Sequence, residues 1–354
     1  MSTLQILDGH NDTLTNIFPT QDGRRDESKS IIDRHGKGHI DLVRADRGGL
    51  CAGFFAIFIP GGAMDRRMIT ANDGTHVEAG CSDPVPYDIA RLKCDSVLDR
   101  MESMLEQHGD RIRLVRSVDE LRGSIDDGAM AMILHHEGVE MFDESLDDLE
   151  KDYARGLRSL GPVWSRSNAF AHGVPFAFPC TPDIGPGLTG AGRELVRRCN
   201  ELGIMLDVSH LNYRGFMDIA DLTDAPVVAT HCGAHAVCAS SRNLLDDQFD
   251  VIRDSGGLVG VNFHVGFLRP DGATDPETPL DVIADHLDYM VDRMGIEHVA
   301  LGSDFDGATM PTPLGDCAGL PGIVEVLRTR GWTDDALHAM ALGNWLRVLG
   351  DTWH

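Results

Sequence analysis

None of the eight cysteines belongs to a C-x-x-C pair: Cys51, Cys81, Cys94, Cys180, Cys199, Cys232, Cys238 and Cys317 are scattered. That spacing excludes a zinc ribbon and makes reduced thiols in a cytoplasmic protein the simplest expectation. No G-x-G-x-x-G follows an apolar run, so dinucleotide binding gains no support. The longest apolar run, "LCAGFFAIFI" at 50–59, is too short to span a bilayer and reads as a buried strand. The opening "MSTLQILDGHND" has no basic stretch ahead of an apolar one, and the closing "LRVLGDTWH" has no hydrophobic tail; neither a secretory signal nor a membrane anchor is expected. Basic residues are few: 31 Lys and Arg against 56 Asp and Glu give a net charge of −25, which argues against nucleic acid or an anionic membrane as partner. Internal repeats and low-complexity linkers are also missing.

What is present is a globular balance, 42% hydrophobic and 25% charged residues over 354 positions, enough for a large core. Short apolar runs alternate with helical patterns. "LQIL", "GFFAIFI", "IRLV", "AMAMILHHEG", "IMLDVSH", "PVVATH", "LVGVNFH" and "HVALGSD" read as strands. Between them lie segments of helical period, such as 87–109 and "PLDVIADHLDYMVDRMG", the first closed by a glycine. Ser117 followed by Glu120 makes a capping-box pattern. About eight strands separated by helices are the mark of parallel βαβ units. That count and this length predict a (β/α)8 TIM-type barrel in one domain spanning 1–354, with an active site at the C-terminal ends of the strands. A doubly wound open sheet is the second choice. Gly- and Pro-bearing sequence around 60–86 reads as an irregular insertion.

The apolar runs stop at residues that bind metals. His10 and Asp12 follow "LQILDG", Glu137 follows "AMAMILHH", His210 ends "LDVSH", His231 ends "VVATH" and Asp304 ends "VALGSD". A single histidine at a strand end is ordinarily structural, and "GSDFDG" alone could be an Asp-Gly turn. In a barrel, however, strand ends converge on one mouth, and the recurrence of nitrogen and oxygen donors there is a metal-site constellation. His10 and Asp12 stand two apart, so both can face one ion. The donor set suits zinc, and also manganese, cobalt or iron. Six donors exceed the three protein ligands of one catalytic zinc. Two divalent ions ~3.5–4 Å apart, sharing a carboxylate, would accommodate them and favour hydrolysis. His135 and Asp8, each two residues from a candidate ligand, fit either an outer-shell or a purely structural role.

Taken together, "DGHNDT", "HHEGVE", "LDVSH", "PVVATHCGAHAVCASSRN", "HVALGSDFDG" and "GNWLRVLG" resemble the membrane (renal) dipeptidase family, peptidase family M19 of the amidohydrolase superfamily. The resemblance covers nearly the whole chain. It implies a (β/α)8 barrel with two zinc ions that hydrolyses dipeptides, L-Xaa-L-Xaa and also L-Xaa-D-Xaa, by attack of a metal-bridging hydroxide on the amide carbonyl. By position, it implies that His10 and Asp12 bind the first metal, that Glu137 bridges, and that His210 and His231 bind the second. It makes Asp304 the acid/base, and Arg242 in "CASSRN" the holder of the substrate's C-terminal carboxylate, which a guanidinium can grip with two bonds. It further implies a homodimer. One departure stands out: where the family carries a histidine that helps bind the substrate carbonyl, the best-matching residue is Trp164, whose indole can only donate a hydrogen bond. Arg166 or His172 could compensate. The departure keeps open a related amidohydrolase acting on N-acyl amino acids or another small amide or lactone. A catalytically silent binding protein is the remaining alternative, against which the complete donor set argues.

Overall fold

The computed structural model describes residues 4–18, 30–33 and 37–353. Eleven strands are present among these residues: β1 Ile6–Asn11, β2 Leu50–Phe58, β3 Asp65–Thr70, β4 His76–Cys81, β5 Ile112–Leu114, β6 Met130–Glu137, β7 Leu157–Gly161, β8 Met205–Leu206, β9 Val228–Cys232, β10 Leu258–Val261 and β11 Val299–Leu301. One parallel sheet has the order β1-β2-β6-β7-β8, with β5 on β6; a second parallel sheet has the order β11-β10-β9. β5 pairs with Met130–Met132, while β7 takes the same strand from Leu134 onward. Helices follow most strands, giving an α/β fold whose parallel sheet curls into a half-barrel. Two isolated parallel bridges, Asn11 with Phe305 and Asp207 with Val228, connect the two sheets. No helix among the described residues is long and apolar enough to cross a membrane.

The strands read as near-continuous apolar runs because both of their faces are covered. On β6, Met130, Met132 and Leu134 join the large core shared with the outer helices, whereas Ala131 and Ile133 turn inward. There they meet Leu7, Ala52, Phe54, Met205, Val228, Leu258 and Ala300. Trp345, from the C-terminal helix Asn344–Thr352, closes the base of this inner core; its ring lies 4.8 Å from that of Phe54. It also explains Gly9: a Cβ there would come within 2.5 Å of the Thr230 carbonyl and 2.6 Å of the Trp345 ring.

Inner-facing positions of β6 thus run Ala131, Ile133, His135, Glu137, apolar at the base and polar at the top. Simple alternation does not hold everywhere. The β1–β2 register shifts between Asp8 and Asn11, and the β9–β10 register shifts beside Val259 and Val261. Such irregularities re-aim side chains near active sites. Here they let His10 face inward three residues after Leu7, and His231 three after Val228.

The segment around 60–86, expected to be irregular, instead holds an antiparallel hairpin, β3 with β4. Its strands are mostly exposed, so no apolar alternation announces them. Ser117 does cap helix Val118–Asp126 by accepting from the Glu120 N–H at 3.1 Å, but the Glu120 carboxylate accepts from the Arg116 N–H rather than from Ser117.

Candidate metal centre

Glu137 tops β6 and is 4% exposed. Its Oε1 lies 3.0 Å from His210 Nε2, 3.6 Å from His231 Nε2 and 3.7 Å from His10 Nε2. His10 Nε2 is in turn 3.6 Å from Asp12 Oδ2, and the His210 and His231 Nε2 atoms are 3.0 Å apart. Donor atoms of His10, Glu137 and His231 fall within 4.8 Å of one another, as do those of His10, Asp12 and Asp304. The five predicted ligands and Asp304 therefore meet at one point, from five different strand ends.

The arrangement fits divalent cations. Both ring nitrogens of His10 and Oδ1 of Asp12 are buried without a hydrogen-bond partner, a costly state for polar atoms unless something positive fills it. Burial pushes the Glu137 and Asp12 carboxyls up from their usual range, Glu137 further so because Asp12 sits beside it. Burial works to lower His10, but Glu137, Asp12 and Asp304 outweigh it and raise the imidazole to about 10. The cluster thus demands positive charge, which a proton on His10 supplies when no cation does. Burial drives His210 and His231 well below the ordinary histidine range, helped by Arg242 and His10. They are neutral, the form in which imidazole binds metals.

An outer layer of hydrogen bonds fixes these groups. Ser165 Oγ lies 2.7 Å from His210 Nδ1, and Thr230 Oγ1 lies 2.8 Å from His231 Nδ1. Thr230 donates through Oγ1 to Asp207 Oδ2 at 2.6 Å, while the N–H groups of Thr230 and Ser209 both donate to Asp207 Oδ1 at 2.9 Å. Asp8 accepts from the Ser303 N–H at 2.7 Å and its hydroxyl at 2.9 Å, tying β1 to the segment that carries Asp304. Burial still raises the Asp8 carboxyl to about 6. Asp304 accepts from Asn262 Nδ2 at 2.9 Å. His210 and Asp304 adopt φ of +65° and +63°, a conformation that non-glycine residues seldom take and that clusters at functional sites. The sequence did not single out Asp207, Ser165, Thr230 or Asn262. Asp207 and Thr230 stand just ahead of His210 and His231 in the sequence, whereas Ser165 and Asn262 lie 45 and 42 residues from the groups they touch and gave no signal.

A cavity of about 860 Å³ opens over Asp12, Glu137, His210 and Asp304, within the size range of small-molecule sites. Trp164 lines it, with its ring centroid 5.9 Å from His210, 5.1 Å from Phe58 and 5.4 Å from Phe176. Neither proposed substitute for the missing histidine lines the cavity. Arg166 is buried against Glu140 at 2.6 Å and the Ile59 carbonyl at 2.7 Å, and His172 Nδ1 is 2.9 Å from Ser167 Oγ. His264, not picked out from the sequence, does line it. Arg242 is 3% exposed and sits behind the histidines. Its Nε is 3.1 Å from His210 Nδ1, Nη1 is 3.1 Å from Cys232 Sγ, and Nη2 donates to the His231 carbonyl at 3.2 Å.

The family model for membrane dipeptidase, peptidase family M19, matches residues 1–353. The chain belongs to this family. It is therefore a metal-dependent dipeptidase by family, and the donor cluster lies where a metallopeptidase needs one. Solved M19 relatives superpose over almost the full length. A metallopeptidase from Rhodobacter sphaeroides, liganded with a phosphinate mimic of the dipeptide L-Ala-D-Ala, is 39% identical with a TM-score of 0.91, covering 99% of this chain and 100% of its own. A structure described as the dipeptidase AC is 40% identical with a TM-score of 0.91, covering 99% of both chains. A dipeptidase from Clonostachys rogersoniana is 28% identical over 354 residues, 99% of this chain and 84% of the relative.

Proposed function

We propose that this M19 member is a binuclear zinc enzyme that hydrolyses L-Xaa-L-Xaa and L-Xaa-D-Xaa dipeptides, at the mouth of a closed (β/α)8 barrel formed by one domain. The two bridges between the sheets support closure. In this reading His10 and Asp12 hold one ion, His210 and His231 the other, and Glu137 lies between. The carrying observation is that one Glu137 oxygen stands within 3.0–3.7 Å of three histidines. Two divalent ions bound there would supply Lewis acidity and an activated water.

The chain's own groups do the rest. Asp304, anchored by Asn262, takes the water's proton and delivers it to the leaving amine. Thr230 and Ser165 hold His231 and His210 with Nε2 toward the centre. If His210 Nε2 is to face an ion, its proton sits on Nδ1 and points to Ser165. The Arg242 Nε–H then loses its acceptor, leaving the guanidinium held only through Nη1 and Nη2; to grip the substrate's C-terminal carboxylate it would have to swing from there into the cavity. Trp164 packs on the substrate as part of an aromatic wall with Phe58 and Phe176.

The test is a dipeptide library, L,L and L,D, assayed with added zinc beside Asp304→Asn. Hydrolysis by the parent and loss of about a hundredfold or more in the variant are expected. A parent that binds metal yet cleaves no dipeptide refutes the reading. Cleavage of N-acylated dipeptides in preference to free ones would favour the N-acyl amidohydrolase, a reading that rests on Trp164.

A further inference from the structure

We propose that Arg66, on the hairpin over the cavity, sets a preference for dipeptides bearing an aspartate or glutamate side chain. The inference rests on the dipeptidase reading above.

The hairpin is held in place. Ile69, Val77 and Ala79, on one of its faces, pack with Ala177, Cys180 and Ile184. Gly80 and Phe176 exchange backbone hydrogen bonds at 2.8 and 3.0 Å, fixing β4 to the aromatic wall. Strand alternation then turns Arg66, Met68 and Glu78 to the other face, and both Arg66 and Glu78 line the cavity.

Charge makes Arg66 distinctive. It is the only lysine or arginine among the residues lining the cavity, against five carboxylates: Asp12, Glu78, Glu137, Asp304 and Asp306. Away from the ion centre, a carboxylate side chain entering this space finds a permanent positive charge among the lining residues only at Arg66. That guanidinium is exposed and makes no ion pair or hydrogen bond with any described residue. Its neighbour Arg67, on the opposite face, is instead paired with Asp83 at 2.8 Å and Asp65 at 3.4 Å. Arg242 cannot read a side chain at this rim, because it lies buried behind the histidines. A planar, permanently charged fork facing the cavity with its donors unused is suited to a carboxylate.

The experiment compares kcat/KM for isosteric pairs, Ala-Glu against Ala-Gln and Glu-Ala against Gln-Ala, with the second residue L or D. The zinc-loaded parent, Arg66→Met, Arg66→Glu and Arg66→Lys are assayed. The acid-to-amide ratio of at least one pair is expected to fall about five- to tenfold in Arg66→Met, further in Arg66→Glu, and least in Arg66→Lys. In the parent that ratio falls as salt rises, since the contact is exposed. Ratios unmoved by all three substitutions, in proteins that still cleave Ala-Gln or Gln-Ala, overturn the role of Arg66. A parent that cleaves none of the four overturns the dipeptidase reading and this inference with it.

Discussion

Asp207 makes no hydrogen bond to a candidate donor atom, yet it is expected to help determine metal affinity through Thr230. Its carboxylate accepts three hydrogen bonds, from the Thr230 hydroxyl at 2.6 Å and from the Thr230 and Ser209 N–H groups at 2.9 Å. Thr230 Oγ1 reaches His231 Nδ1 at 2.8 Å, so the orientation of that imidazole is inherited from Asp207. Asp207→Asn keeps the volume but replaces one acceptor oxygen with an NH2 group facing donors. At least one charged hydrogen bond is lost, at about 1.5–3 kcal/mol. Outer-shell changes of this kind cost about 10–100-fold in metal affinity, equivalent to about 1.4–2.8 kcal/mol. The assay is zinc competition against a chromophoric chelator, with a urea melt of the metal-free protein alongside. Asn344→Ala is the control: Asn344 donates to the Ile296 and Val299 carbonyls at 2.7 and 2.8 Å, in the lower part of the molecule. It should lower stability while leaving zinc affinity intact. Unchanged zinc affinity in Asp207→Asn, or an equal loss in Asn344→Ala, refutes the reasoning.

Other outcomes follow from the same geometry. Trp345→Ala empties the base of the inner core, where the ring is fully buried against Phe54 and Gly9; a loss of about 3–5 kcal/mol in urea unfolding is expected. Gly9→Ala forces a Cβ to within 2.5 Å of the Thr230 carbonyl and should destabilise by about 1–3 kcal/mol, with zinc affinity falling too, because Thr230 orients His231. Burial holds His286 at about 4 against an ordinary 6.5, with Nδ1 accepting from the Ala234 N–H. A histidine depressed on folding binds its proton more readily when unfolded, so its contribution is intact above pH 6.5 and lost as pH falls toward 4. In the metal-free protein His286 should account for about 3 kcal/mol of the stability lost across that window, and His286→Gln should reduce the slope by that share.

Much of the fold was legible because its strands are covered on both faces: "GFFAIFI" and "AMAMIL" are uninterrupted apolar runs for that reason. The hairpin Asp65–Thr70 with His76–Cys81 was not, since exposed strands carry no burial signal. His10, Glu137, His210, His231 and Asp304 stood out because each interrupts an apolar run at the same end of its strand. Period-two reasoning could not show how His10 and His231 come to face inward, since register shifts in β1 and β9 do that. Nor did sequence show that Arg242 is held behind His210 rather than extended into the cavity. That position depends on side-chain packing between segments 32 residues apart. Trp164 was visible as an unusual residue, and the structure gives it a setting among Phe58 and Phe176.

The central claim is a two-ion centre that cleaves dipeptides. Its most direct test is a zinc titration of chelator-stripped protein, with bound metal and Ala-Ala turnover measured on the same samples. Turnover is expected to climb to a plateau at about two zinc ions per chain. A plateau at one ion, turnover without metal, or full loading without turnover would contradict it.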